Sequence, residues 1–259
     1  MRDPVIRRPR PWHAGLSREP ANRWALLPAG VISSGALVAG LLFFSAPGKI
    51  DGPLREATRD EVPYAAQIAL KGFALASGTR ILFMMAAIVG AAIAIRCREW
   101  RPGTALVAAI VGATLSADLL KSLFDRPSPE EWAAGRELGT AFPSGHAAVA
   151  VSAWGLIAIL AGRRLPPATA ISVAVVAAGM LAGALVSRVL LGDHWASDVL
   201  AGIGLGGLWV CVGAEICTMA PRHLQRSEGR LRAQVSERGA GGPVPHPGGL
   251  SRMSRRAVR

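Results

Sequence analysis

Six apolar stretches, at about 24 to 46, 77 to 95, 104 to 124, 144 to 162, 167 to 187 and 196 to 217, confine this chain to a narrow set of folds. Each approaches the roughly 20 residues that carry a helix across a ~30 Å hydrocarbon core. Lipid offers backbone N–H and C=O groups no partner, so a crossing segment must satisfy them internally, as a helix does. Composition agrees, because 51% of the 259 residues are hydrophobic and only 18% are charged, fewer charges than a soluble domain carries. The expected fold is all-α, an integral membrane bundle of six transmembrane helices spanning 24–217. A basic segment, 1–23, precedes it, and a basic tail rich in Gly, Pro and Ser, 218–259, reads as disordered. Residues 47–76, between the first two stretches, are too polar to span, and Val62–Leu75 within them is expected to lie along the membrane surface.

A net charge of +12 and a pI of 11.3 would suit a nucleic-acid partner, but the placement of the basic residues argues for topology instead. Arg2, Arg7, Arg8, Arg10, Arg18 and Arg23 precede the first stretch, Arg96, Arg98 and Arg101 follow the second, and Arg163 and Arg164 follow the fourth. Nine more arginines, from Arg222 to Arg259, follow the last. In a chain of six alternating spans all of these lie on one side, which the positive-inside rule makes cytoplasmic. Both termini are therefore expected in the cytoplasm of a bacterial inner (plasma) membrane, with membrane lipids and no nucleic acid as partners. The first stretch is too long for a signal peptide, and no small-x-small cleavage site follows at Phe43-Phe44-Ser45-Ala46, so it reads as a retained anchor. Cys97, Cys211 and Cys217 fall at the edge of a span or inside one and imply no exported disulfide. Gly202 and Gly206 form a Gly-xxx-Gly pair, read as close helix packing within the bundle rather than a dimer seam; oligomeric state is left open.

Three polar clusters interrupt the apolar pattern: Lys121-Ser-Leu-Phe-Asp-Arg126-Pro127, Pro143-Ser144-Gly145-His146, and Ser187-Arg188 followed by His194 and Asp198. Alternating spans put all three on the face opposite the arginine-rich loops. Charge at a membrane boundary costs several kcal/mol unless paired or wet, which makes such clusters functional candidates. His194 and Asp198, four apart, share a helix face, and a carboxylate on one imidazole nitrogen fixes the tautomer and frees the other to attack. The plainer alternative is a pair that caps the sixth helix. Pro143-Ser144-Gly145 has the chemistry of a helix start, where exposed N–H groups and the dipole attract phosphate. A phosphate ester's leaving oxygen needs a proton, and a histidine with a pKa near neutrality, the role read for His146, can supply it. Arg126 and Arg188 carry guanidinium forks that match phosphate oxygens, and Lys121 adds a third cation.

These clusters resemble the three-part signature of the type 2 phosphatidic acid phosphatase superfamily over roughly residues 80 to 217. Pro143 to His146 matches the second part, and Ser187-Arg188, His194 and Asp198 match the third. The first part departs from the pattern: after six intervening residues from Lys121, the family arginine falls on Ser128, followed by Pro129, while Arg126 stands two positions early and is read as its substitute. The resemblance implies a membrane lipid phosphatase in which His194 attacks phosphorus, Asp198 orients it and His146 protonates the leaving alcohol. It further implies that Lys121, Arg126, Ser144, the Gly145 amide and Arg188 hold the phosphoryl oxygens, with no metal or other cofactor. The site would be extracytoplasmic and the substrate a phosphorylated lipid: phosphatidic acid, phosphatidylglycerol phosphate, a polyprenyl diphosphate or lipid A phosphate. A relative that binds or transports such lipids without catalysis is the competing class. The soluble vanadium haloperoxidase branch does not fit a chain of membrane spans.

Overall fold

The computed structural model describes residues 26–44, 51–58, 62–136 and 139–218. Among the described residues all regular structure is helical: α1 (Leu26–Phe44), α2 (Asp51–Thr58), α3 (Tyr64–Ala76), α4 (Thr79–Cys97), α5 (Arg101–Phe124), α6 (Pro129–Ala133), α7 (Gly145–Arg164), α8 (Pro167–Leu190) and α9 (Ala196–Thr218). Six of these, α1, α4, α5, α7, α8 and α9, are long and apolar enough to cross a membrane, and they coincide with the six apolar stretches. The ends differ by a few residues for local reasons. Ser77-Gly78 breaks the chain, with Gly78 extended, so α4 begins at Thr79; Pro102 in the first turn of α5 pre-organises that helix to start at Arg101. The expectations for the segment 1–23 and for the tail beyond Thr218 lie outside the described residues.

The core is built from small side chains, since lipid provides no hydrophobic drive between helices and van der Waals contact at short range must hold them together. On α5, Ala105, Ala109, Ala113 and Ala117 are all buried at four-residue spacing, and Lys121 is the next position in that stripe. They pack with Val149, Ala150, Ala153 and Leu156 of the central helix α7. Helix α9 packs on α7 through Gly202 and Gly206, where a Cβ would stand 2.6 Å from the Ser144 carbonyl oxygen and against that of Ala148, respectively. Its other face, at Gly204 and Gly207, receives Ser33 of α1. The Gly-xxx-Gly pair thus packs inside the bundle, as expected. Helices α1 and α8 have few fully buried residues, and Leu27, Val31, Ile32, Ile171, Val175 and Val176 are exposed, as on lipid-facing spans.

The segment before α4 folds as two helices. In α3, Tyr64, Ile68 and Leu75 project from one face and are exposed, while Phe73 on the opposite face packs against Gly183 of α8. An apolar exposed face on a helix too short to span is the form of an interfacial segment.

Gly206→Leu should separate α9 from α7 and lower the thermal unfolding temperature of the detergent-solubilised protein by 10 °C or more, an order of magnitude drawn from the cost of forced overpacking. Gly179→Ala, where a Cβ meets nothing within 4 Å, should leave it unchanged.

Candidate active site

The three polar clusters converge at one end of the bundle, with α2 joining them. Helix α5 ends at Asp125, which adopts the left-handed conformation (φ 43°) that Asp tolerates better than most residues, and the chain turns so that Arg126 points inward. The returning strand of chain is tied to this turn where the Ala141 N–H donates to the Arg126 carbonyl at 2.8 Å. Helix α7 then starts at Ser144, whose hydroxyl caps the Ala147 N–H at 3.4 Å and whose own N–H donates to the Asp198 carbonyl at 3.0 Å. The first turns of α7 and α9 are therefore locked to each other.

Lys121, Ser144, Gly145, His146, Arg188, His194 and Asp198 are brought together as the sequence predicts. A Cβ on Gly145 would stand 3.6 Å from Lys121 Nζ, so the lysine lies over the first turn of α7. His146, half-buried, lies within electrostatic reach of Arg188, His194, Lys121 and Asp193. Arg188 pairs with Asp193 at 3.1 Å, and its carbonyl accepts the His194 N–H at 3.1 Å.

Two arrangements differ from the reading of the sequence. His194 Nδ1 lies 2.8 Å from the Ala141 carbonyl and 3.8 Å from Asp198 Oδ2, so a main-chain oxygen, rather than the carboxylate, is the nearer partner. A carbonyl only accepts, so Nδ1 carries the proton and Nε2 is left with its lone pair. Asp198 has other engagements: Oδ2 accepts the Trp195 N–H at 2.9 Å and Oδ1 accepts Arg126 Nη1 at 2.5 Å.

The second difference concerns Arg126. Its guanidinium is directed at carboxylates: Nη1 donates to Asp198 and to Ser197 Oγ at 2.7 Å, and Nη2 donates to Asp51 Oδ2 at 2.8 Å. Asp51 also accepts the Ser197 N–H at 3.0 Å and the Ser197 hydroxyl at 2.6 Å. Asp51 and Asp198 are fully buried and Arg126 is 7% exposed. The Arg126 side chain also lies 5.5 Å from the centre of the Trp195 ring, a cation–π distance. Two donors of this guanidinium are thus taken by carboxylates, an engagement that the reading of Arg126 as a phosphate ligand did not include. Ser128, at the family position, does local work: its hydroxyl accepts the Glu131 N–H at 3.2 Å and its N–H donates to Glu131 Oε2 at 2.9 Å, a capping box that starts α6. Asp51, Ser197 and the Ala141 carbonyl went unnoticed in the sequence; of these only Ser197, beside Asp198, carried a local signal.

Fold and site together define a helical membrane protein with histidines and cations gathered at one end of its spans. Residues 102–220, from α5 through the end of α9, match the family model of the PAP2 superfamily. Among solved structures it is similar to a transmembrane PAP2 type phosphatidylglycerolphosphate phosphatase from Bacillus subtilis, with 22% identity and a TM-score of 0.64 over 73% of this chain and 98% of that one. No curated protein matches the chain in sequence.

Arg126→Met should destabilise the fold by about 3–5 kcal/mol, because it strips the counter-charge from two buried carboxylates. Ser128→Ala should cost about 1 kcal/mol, the loss of one cap. Chemical unfolding in detergent would separate the two.

Proposed function

We propose that the chain is a phosphatase that removes a phosphate group from a phosphorylated membrane lipid through a phosphohistidine. The observation that carries this reading is the hydrogen bond from His194 Nδ1 to the Ala141 carbonyl, which in the neutral ring puts the lone pair on Nε2, while His146 lies within electrostatic reach of His194, Lys121 and Arg188. In the first step Nε2 forms a bond to phosphorus as the phosphorus–oxygen bond to the lipid breaks. The leaving oxygen takes a proton from the His146 imidazolium, so the lipid departs as a neutral alcohol. In the second step the neutral His146 takes a proton from water as that water attacks phosphorus. The nitrogen–phosphorus bond breaks, and inorganic phosphate is released. Lys121, Arg188, the Gly145 N–H and the Ser144 region, at the positive end of α7, would hold the phosphoryl oxygens as charge builds. Asp198 lies close enough behind His194 to stabilise its positive charge, while Arg126 holds Asp198 and acts as a positioning residue.

The arginine distribution supports an orientation with this end of the bundle outside the cytoplasm. The site opens where lipid headgroups lie, and the B. subtilis phosphatase supports a lipid rather than a soluble phosphate ester as substrate.

His194→Ala should abolish phosphate release and phosphoenzyme trapping, with thermal unfolding close to that of the parent protein. Near-normal turnover by the purified variant would overturn the reading. Single-cysteine labelling at Glu130 and at Arg164, in a background without native Cys, should give opposite accessibility to an impermeant reagent in intact cells; labelling from the same side would refute the six-span orientation.

A further inference from the structure

Beside the proposed phosphate site is a cavity of about 490 Å³, within the range of small-molecule sites. Its polar lining comes from Arg55 on α2, Gln67 and Lys71 on α3, Glu130 on α6, Arg188 in the last turn of α8, and Asp193 on the turn that leads into His194. Arg188 therefore belongs both to this cavity and to the surroundings of His146.

Arg55 marks the cavity as a site for an anion. Its Nη1 is shielded from solvent and has no hydrogen-bond partner, an arrangement that costs free energy unless a ligand completes it. The guanidinium sits over Gly192, where a Cβ would come within 2.7 Å of Nη2. Gly192 also has φ of 81°, so the turn needs glycine for its conformation as well as for the close approach. Lys71 makes no ion pair among the described residues. Of the two acids, Asp193 is already bound to Arg188, and Glu130 is exposed like Lys71, so solvent screens both and the shielded charge without a partner is that of Arg55. The balance favours a negatively charged group, and the guanidinium fork favours phosphate oxygens.

We propose that this cavity is a second phosphoryl subsite, in which Arg55 and Lys71 hold a phosphate of the substrate that is not the one attacked by His194. The proposal rests on the phosphatase reading and narrows it to lipids with two phosphoryl groups. One such class is a diphosphate, with the groups adjacent. The other is a headgroup in which a terminal phosphate is separated from an internal phosphodiester by a short carbon chain. Phosphatidic acid, with one phosphate, would leave the subsite unfilled.

The test uses the full chain in detergent and three phosphonates whose carbon–phosphorus bonds resist hydrolysis: methylphosphonate, methylenediphosphonate and propane-1,3-diphosphonate. Isothermal titration should show at least one diphosphonate binding ten times or more tightly than methylphosphonate. A preference for the methylene compound would indicate a diphosphate substrate, and a preference for the propane compound a headgroup phosphodiester. In Arg55→Ala, and separately in Lys71→Ala, the preference should fall to threefold or less; Arg55→Lys should keep part of it. Equal affinity for all three probes, or a preference that survives both alanine variants, would overturn the proposal. None of these readouts depends on turnover, so a failure of the phosphatase reading, seen in the activity of His194→Ala, remains separate.

Discussion

The Arg126 guanidinium lies between two carboxylates without solvent access, Asp51 at the start of α2 and Asp198 in the first turn of α9. Taking three charges out of water is expensive, and the arrangement persists only because each donor and acceptor is matched, with Ser197 completing the set. Its structural effect is to join three parts of the chain that no continuous secondary structure connects: the loop after the first span, the turn after α5 and the start of the last span. His194 stands four residues before Asp198, and Arg55 stands four residues after Asp51. The same buried network thus fixes the height at which both the proposed nucleophile and the cavity beside it sit.

The membrane architecture was readable in the sequence because length and hydropathy are the physical quantities that decide whether a helix spans. The six stretches predicted the six long helices to within a few residues, and departures came from Gly78 and Pro102, whose backbone preferences act over a single turn. The convergence of the three polar clusters followed from alternation alone. The partners within the site were not readable in the same way. Asp51 is one acid among several in a polar loop, and nothing in its spacing announces that it crosses 75 residues of sequence to meet Arg126. The i, i+4 spacing of His194 and Asp198 does bring them near each other, but a carbonyl from a distant loop comes nearer. Periodicity reports which face of a helix a residue occupies; it carries no information about which loop arrives over that face.

The position at which the superfamily signature has an arginine is occupied by Ser128, and the capping box built there explains how the local chain makes use of a small hydroxyl. Arg126 is engaged by Asp51 and Asp198, and the cations within electrostatic reach of His146 are Lys121 and Arg188, with Arg55 and Lys71 around the adjoining cavity. Positive charge is thus drawn from the segment between the first two spans as well as from the three signature clusters. That segment lies outside the matched residues 102–220.

The partner of His194 Nδ1 is a main-chain oxygen, and every amino acid supplies one. A point substitution at position 141 therefore changes the packing around the bond without deleting the acceptor, whereas a side-chain acceptor is lost in a single replacement. The alignment of the imidazole depends instead on the path of the loop from Arg126 to Phe142. Side-chain replacement at position 141 should therefore leave the bond in place, while insertions or deletions beside it should not.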